Sequence, residues 1–140
     1  MVTGWVVDTS ITLAWGFPDE QSSIADDFWQ EVESGVGLFV PALWWFECAN
    51  ALLVARRRER LDEGRAHQMS ALLAALPVNT AAAPSGDDLV RLQVLAWKHG
   101  LTAYDAAYLD LALRLTAGMA TLDTRLTDAA RAEDITVWSS

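Results

Sequence analysis

The sequence contains few of the residues that common catalytic and metal sites require. Its 140 residues include one cysteine, Cys48, and two histidines, His67 and His99. A single cysteine excludes an internal disulfide and is typical of a reducing compartment. The histidines lie far apart with no cysteine at ligand spacing, which disfavours a zinc site. The chain also lacks a glycine-rich phosphate loop and a nucleophile elbow, so acidic side chains are the remaining candidates for a functional site.

The sequence also shows no pattern typical of a targeting segment or a membrane-spanning segment. The first residues do not combine a basic n-region, an apolar h-region and a cleavage site, so we expect no signal peptide. No apolar run reaches the roughly 20 residues that a membrane span needs. We therefore expect a cytoplasmic protein that does not contact a membrane.

Positive charge is scarce. Nineteen acids stand against ten bases, of which Lys98 is the only lysine, and the formal net charge is -9. Affinity for phosphate normally comes from lysine and arginine, so this balance weakens a nucleic-acid function. It does not exclude one, because a bound divalent cation reverses the local sign of the charge.

The composition is otherwise that of a folded protein. Hydrophobic residues make up 52% of the chain, and seven of them are tryptophans. We expect one domain over residues 1–140, long enough to bury roughly two thirds of the surface that the unfolded chain exposes. The tryptophans either fill its core or mark a subunit interface, where tryptophan is enriched.

Short apolar runs alternate with longer segments of helical periodicity. The predicted strands are 4–7, 38–40, 77–80, 119–122 and 135–138. The predicted helices are 11–15, 19–34, 42–60, 62–76, 85–99, 103–116 and 125–132. This alternation favours a parallel sheet with right-handed crossovers, lying between layers of helices.

Two of the predicted strands end in an acid. Asp8 follows the first strand, and Asp123 follows the run that ends at Leu122. Functional groups of open α/β sheets collect beyond the carboxyl ends of such strands, so the two carboxylates are expected to share one site. The alternative is that each is an ordinary turn acid.

Glu47 lies on a predicted helix whose first three turns are otherwise almost entirely apolar. Asn50 is the other polar residue there and, three positions on, projects from the same face. A helix without a polar side is buried in the core or against a second subunit. An ionised glutamate in that setting needs a cation or hydrogen-bond donors.

Asp105 lies in the first turn of a predicted helix, where the backbone dipole alone favours an acid. It shares a face with Tyr108 and Leu109, however, and this face has the pattern of an inward stripe. Asp110 is expected to face away from Asp105. The remaining acids have the pattern of residues on solvated helix faces or at helix starts, and we expect none of them to have a role in the site.

Several carboxylates in one pocket would be unstable without a counter-ion. Two unit charges about 4 Å apart repel by about 4 kcal/mol at an effective dielectric of 20. Oxygen-only ligands select hard cations such as Mg²⁺ or Mn²⁺. Such an ion activates a phosphodiester for hydrolysis without a side-chain nucleophile, which agrees with the absence of one here.

Four segments resemble the motifs of PIN-domain ribonucleases. They are Asp8-Thr9-Ser10, Glu47-x-x-Asn50, Tyr104-Asp105-Ala106-Ala107-Tyr108 and Thr121-Leu122-Asp123-Thr124-Arg125-Leu126. Their order and the small size of the chain are most similar to the VapC-type toxins of bacterial toxin–antitoxin pairs. The resemblance implies a three-layer α/β PIN-like domain with a central, mostly parallel sheet of four to five strands flanked by helices.

The resemblance also implies a function and a site. It predicts an endoribonuclease that uses Mg²⁺ or Mn²⁺, forms a homodimer and is inhibited by a cognate antitoxin protein. The metal ligands and catalytic residues would be Asp8, Glu47, Asp105 and Asp123. Side chains that orient them would be Thr9, Ser10, Asn50 and Thr121.

Arginines cluster at the far end of the Glu47 helix. We expect Arg56, Arg57, Arg58 and Arg60 to form the phosphate-contacting edge of the dimer, although an ordinary solvated helix end explains them equally well.

Three other classes of protein stay open. A phosphoaspartyl phosphatase with Asp8 as nucleophile would need a second aspartate at the position of Ser10. A receiver-type signalling domain would need an acidic pair ahead of the phosphorylated strand and a later lysine, and Lys98 is poorly placed for that role. The third is a non-catalytic, acidic module for ion binding or protein interaction.

Overall fold

A sheet of four parallel strands forms the centre of the protein. The structure, a computed structural model, describes residues 2–139. Its strands are β1 (Gly4–Val7), β2 (Gly37–Val40), β3 (Val78–Thr80) and β4 (Gly118–Ala120), in the order β3-β2-β1-β4. Each neighbouring pair is parallel. Because β1 lies between two strands and under helices, all four of its residues are buried.

Helices cover both faces of this sheet. They are α1 (Thr9–Gly16), α2 (Ser23–Ser34), α3 (Leu43–Arg57), α4 (Glu63–Ala74), α5 (Leu89–His99), α6 (Ala103–Leu115) and α7 (Thr124–Ala132). Their contacts form two groups. In the first, α1 contacts α2 and α3, and α3 also contacts α4. In the second, α6 contacts both α5 and α7. Right-handed crossovers place these groups on opposite faces. The predicted three-layer α/β fold is confirmed.

The order of the strands creates a crevice at one edge of the sheet. The chain passes from β1 to β2 and β3 on one side, and it then crosses back to place β4 on the other side of β1. The strand order therefore reverses between β1 and β4. In open α/β sheets, ligands bind at such a switch point, outside the carboxyl ends of the strands.

Aromatic side chains fill much of the core. Trp5, Phe28 and Trp138 contact one another edge to face, with ring centroids 5.5–5.8 Å apart. Trp44 is fully buried, and its indole nitrogen lies 3.3 Å from the Thr12 hydroxyl oxygen. Large rings contribute much buried apolar area, and their edge-to-face pairing adds to it. Trp5 and Trp44 are buried, and Trp15 and Trp138 are half-buried. The exposed tryptophans are Trp29, Trp45 and Trp97, of which Trp97 is 92% exposed.

Helix ends follow local capping chemistry. The hydroxyl of Ser22 accepts a hydrogen bond from the amide of Ala25, so α2 begins at Ser23. The predicted helix over 19–34 is therefore too long at its start, where Pro18–Glu20 form a separate 3₁₀ turn. Asp62 caps α4 as expected. Gly100 ends α5 with φ of 63°, a left-handed conformation that glycine adopts without strain.

The prediction of a fifth strand over 135–138 is wrong. Only an isolated bridge between Met119 and Val137 forms there. The segment is held at β4 by two backbone hydrogen bonds of 2.9 Å to Met119. The Trp138 side chain packs against the core, where its indole donates to the carbonyl of Ile24.

The expectation that the start of α3 is buried all round also needs correction. Trp44 and Cys48 are buried, but Phe46 is 78% exposed and Leu53 is 43% exposed. One apolar face of α3 therefore lies open in the single chain.

Within residues 2–139, no helix has the length and apolar character needed to cross a bilayer.

Candidate active site

Asp8 occupies the crevice at the end of β1. It stands at the position that precedes α1, yet its side chain does not cap that helix. Its Oδ2 instead accepts hydrogen bonds from the hydroxyls of Ser10, at 2.7 Å, and Thr121, at 2.8 Å. Asp8 is only 7% exposed. The hydroxyls orient a buried carboxylate without neutralising its charge.

The same hydroxyls join the ends of β1 and β4. Ser10 Oγ accepts from the amide of Leu122 at 2.9 Å, and Thr121 Oγ1 accepts from the amide of Asp123 at 3.0 Å. Each hydroxyl thus donates to Asp8 and accepts from the β4 segment. The structure brings Ser10 and Thr121 to the place predicted for them, and Thr9 Oγ1 lies 3.5 Å from Asp8 Oδ1.

Asp123 has a structural role as well as a place in the crevice. It is the N-cap of α7, and its Oδ1 accepts hydrogen bonds from the amides of Arg125 and Leu126 at 2.9 and 3.1 Å. Asp123 Oδ1 therefore has the local role of an ordinary turn acid, which was the alternative to a place in the site. Capping fixes the direction of the carboxylate and leaves Oδ2 for another partner.

Glu47 reaches the crevice from α3. Its Oε1 accepts a hydrogen bond of 2.5 Å from the hydroxyl of Tyr108, which is 1% exposed. Burial raises the pKa of Glu47, and the negative charges of Asp8 and Asp105 raise it further, although the Tyr108 hydrogen bond opposes them. Burial together with this bond to Glu47 raises the pKa of Tyr108, which therefore stays a donor. The sequence indicated Tyr108 as part of an inward stripe and of one motif segment, but not as the partner of Glu47.

Asp105 enters from the first turn of α6, where Thr102 caps the helix through the amide of Asp105. Burial raises the pKa of Asp105, and the charges of Asp123 and Asp8 raise it further. The cation of Arg125 acts in the opposite direction. Asp105 therefore lies within electrostatic reach of both strand-end acids.

The four acids form one negative region. Among residues 2–139, no three histidine, cysteine or acidic side chains converge closely enough to hold an ion directly. Mg²⁺ usually keeps several of its waters and binds to a protein through one or two carboxylates. An oxygen-only donor set around a buried, oriented carboxylate suits a hydrated ion of this kind. The donor chemistry of the region therefore fits a hard divalent cation.

No hydrogen bond joins the other predicted site residues to the four acids within the part of the chain that the structure describes. Asn50 is exposed, and within residues 2–139 it makes no hydrogen bond to any of the four acids. Arg60 binds both oxygens of Asp19 at 2.8 Å and packs over the ring of Phe17, so it has a structural partner. Arg56, Arg57 and Arg58 are exposed near the end of α3.

Asp110 does face away from Asp105, but it is no surface acid. It is 4% exposed, and its two oxygens accept hydrogen bonds from the Nε of Arg91 at 2.8 Å and the Nε of Arg114 at 3.0 Å. Asp110 was expected to have no role in the site, and the structure gives it a structural role instead, because it joins α5 to α6. Arg114 at i+4 was the available signal; Arg91, 19 residues away, gave none.

Cys48 packs in the interior, as expected. It is 3% exposed, and burial raises the pKa of its thiol to about 12, with further contributions from the charges of Glu47 and Asp8. A protonated, buried thiol is not a nucleophile.

Comparison with known proteins identifies the fold and the family. The model of the PIN domain family matches residues 5–132. The chain is 35% identical over 127 residues to Ribonuclease VapC3 of Pyrobaculum aerophilum, an alignment that covers 88% of this chain and 92% of the relative.

Two solved structures share the architecture. The crystal structure of PAE2754 from Pyrobaculum aerophilum superposes with a TM-score of 0.70 at 22% identity, covering 92% of this chain and 86% of that one. The crystal structure of FitAcB from Neisseria gonorrhoeae gives a TM-score of 0.67 at 17% identity, covering 96% of each chain.

The sheet order, the acidic crevice and these matches define the class. The chain belongs to the PIN-domain family. Within that family it is similar to a VapC-type ribonuclease over nearly its whole length, as its four motif segments predicted.

Proposed function

We propose that this chain is a metal-dependent endoribonuclease and the toxin of a toxin–antitoxin pair. The observation that carries the proposal is the environment of the Asp8 carboxylate. The carboxylate is buried and, within residues 2–139, accepts hydrogen bonds from hydroxyl groups alone. It lies in a region where Glu47 and Asp105 have raised pKa values. A site that gathers uncompensated negative charge in this way is suited to a cation.

The residues that would hold Mg²⁺ or Mn²⁺, directly or through the waters of the hydrated ion, are Asp8, Glu47, Asp105 and Asp123. When bound, the ion supplies Lewis-acid activation of an RNA phosphodiester and of the attacking water. Ser10 and Thr121 hold the Asp8 carboxylate in one orientation, and Tyr108 does the same for Glu47. Groups that orient metal ligands in this way strongly affect metal affinity and activity.

The proposed partners are RNA, a cognate antitoxin and a second copy of the chain, all in the cytoplasm. The name of the 35% identical relative, a ribonuclease, supports the RNA substrate. An apolar stripe on α5 supports the homodimer, since Val90, Val94 and Trp97 are 69, 62 and 92% exposed at successive turns. Exposed apolar residues grouped in this way mark protein interfaces.

The alternatives have less support. A phosphoaspartyl phosphatase needs a second carboxylate where Ser10 instead donates to Asp8. A module that binds an ion only for stability remains the second candidate, because the same acids serve both purposes. These two functions differ in whether the bound ion leads to RNA cleavage.

The test is digestion of RNA with Mg²⁺, with Mn²⁺ and with chelator, beside thermal melts under the same conditions. We expect cleavage with metal, none with chelator, and none by Asp8→Asn with metal. Asp128→Asn, at an exposed acid of α7, is the matched control and keeps full activity. A large metal-induced rise in Tm without cleavage would instead favour the structural ion.

A further inference from the structure

A groove runs beside the acidic crevice and shares one helix with it. It lies between the segments that follow β2 (residues 41–43) and β3 (residues 81–84) on one side and helices α5 and α6 on the other. Its volume is about 350 Å³, within the range of about 300–1,000 Å³ typical of ligand pockets. We name it the α5–α6 groove. Because β2 and β3 are parallel to β1, it opens at the same edge of the sheet as Asp8.

Helix α6 presents one face to each site. Asp105 and Tyr108 belong to the acidic crevice, whereas Ala107, Asp110 and Arg114 line the groove. Tyr104 lines the groove too and is 70% exposed, although it directly precedes Asp105. A ligand whose ring stacks on Tyr104 would therefore sit next to the acidic crevice.

Two arginines line the groove further along. The side chains of Arg91 and Arg114 are 43 and 51% exposed, and buried Asp110 holds both guanidinium groups through their Nε atoms. Arg114 makes no other hydrogen bond within residues 2–139, so its two terminal nitrogens are free to bind an anion. Guanidinium groups held in this way are suited to phosphate oxygens.

Most of the remaining wall is apolar, and small residues form the part of it that follows β2 and β3. Residues Pro41, Ala42, Ala81, Ala82 and Ala83 leave space beside Tyr104 rather than filling it. An aromatic ring, an apolar wall and two guanidinium groups in one groove match the base, ribose and phosphate of one nucleotide. Stacking on aromatic side chains is a common way to bind single-stranded RNA.

We propose that the α5–α6 groove binds one nucleotide of the RNA strand next to the bond that is cleaved. The base stacks on Tyr104, and the phosphate beyond it contacts Arg114. This inference rests on the proposed ribonuclease function and assigns a substrate-binding site to it.

The charge of the groove indicates which contact dominates. Arg91 and Arg114 are balanced by Asp88 and Asp110, so the four groups together carry no net charge. Attraction for a bare phosphate is therefore weak, and we expect stacking to supply most of the affinity. This would allow a chain with a net charge of -9 to bind single-stranded RNA.

The experiment combines cleavage with direct binding. Single-stranded RNA oligonucleotides carrying 2-aminopurine at successive positions report stacking by fluorescence, in chelator so that no cleavage occurs. The same sequences are then cleaved with Mn²⁺ to give kcat and KM. The variants are Tyr104→Ala, Tyr104→Phe and Arg114→Gln. The matched controls are Trp29→Ala, an exposed aromatic of α2, and Arg131→Gln, another exposed arginine.

We expect Tyr104→Ala to weaken binding and raise KM by about 5- to 150-fold, the range for losing one stacked base. Tyr104→Phe should retain wild-type KM, and Arg114→Gln should have a smaller effect than Tyr104→Ala. One 2-aminopurine position should be quenched by the wild type and not by Tyr104→Ala.

Three results overturn the proposal. The first is cleavage by the wild type with equal KM for Tyr104→Ala and Trp29→Ala. The second is the absence of Tyr104-dependent quenching at every position. The third is loss of a dimer by Tyr104→Ala in sedimentation, which would assign the face to a second copy. If the wild type shows Tyr104-dependent quenching but does not cleave RNA, nucleotide binding by the groove is supported and the proposed ribonuclease function is rejected.

Discussion

Two buried carboxylates in this protein have opposite surroundings. Asp8 is 7% exposed and Asp110 is 4% exposed, so burial does not distinguish them. Asp110 accepts hydrogen bonds from two arginines, whereas Asp8 accepts them from neutral hydroxyls and has other acids nearby. Charges taken out of water need compensation. The protein supplies it at Asp110, and in the proposed function a bound cation would supply it at Asp8.

The comparison separates structure from function. At Asp110 the ion pairs fix α5 against α6, and α6 carries Asp105 and Tyr108 into the crevice. At Asp8 the hydroxyls fix direction only, which is the arrangement that a metal ligand needs. Which groups lie around a buried acid, rather than how deeply it is buried, therefore indicates its role.

The largest effect that can test this contrast comes from Asp8→Asn. We expect it to lower metal-dependent RNA cleavage by more than about 100-fold, since it removes the charge while hardly changing the volume. Its Tm in the absence of metal should not fall. Initial rates with Mn²⁺ and thermal melts in chelator measure the two quantities, and retention of full activity would contradict the assignment of Asp8.

The next largest effect should come from the hydroxyls around Asp8. Thr121→Val removes the donor to Asp8 and the acceptor for the amide of Asp123, and we expect cleavage to fall by about 10- to 100-fold. Thr121→Ser keeps the hydroxyl and should retain most of the activity. Equal rates for the two variants would show that the hydroxyl does not position Asp8.

At the other carboxylate we expect a loss of stability instead. Asp110→Asn removes charged hydrogen bonds in a buried setting, which we expect to cost about 1–3 kcal/mol of unfolding free energy. The folded fraction should still cleave RNA with the wild-type kcat. Urea denaturation measures the unfolding free energy, and cleavage rates divided by the concentration of folded protein give kcat. Unchanged stability together with lost cleavage would reverse the roles given to Asp8 and Asp110.

A smaller effect of opposite sign is expected at Asp105. The raised pKa means that the folded state disfavours its ionised form, so Asp105→Asn should stabilise the metal-free protein. The rise in Tm should be a few degrees at most, because 1 kcal/mol shifts Tm by about 4 °C in a chain of this size. The metal-induced rise in Tm should shrink in the same variant. A fall in Tm without metal would contradict the electrostatic argument.

The smallest effect concerns the arginines at the end of α3. Arg56 is nine residues from Glu47, about 14 Å along the helix, so an RNA strand in the crevice could reach it. Replacing Arg56, Arg57 and Arg58 by glutamine should flatten the salt dependence of RNA binding by up to about two units of log–log slope. With Arg131→Gln as the control, an unchanged slope would remove these arginines from the RNA-binding surface.

Local rules predicted most of the fold but only part of the candidate site. The strands that precede Asp8 and Asp123, the cap at Asp62 and the stop at Gly100 follow from neighbouring residues. The pairing of Tyr108 with Glu47 and of Arg91 with Asp110 does not, since each joins different helices. Contacts of this kind depend on tertiary packing, which no local pattern encodes.

The most direct test of the account is calorimetric titration of Mn²⁺ into the wild type, Asp8→Asn and Asp110→Asn, each verified as folded by its melt. The contrast between the two carboxylates predicts that the wild type and Asp110→Asn bind the ion with similar affinity and that Asp8→Asn does not bind it. Equal binding by all three proteins, or loss of binding only in Asp110→Asn, would contradict it.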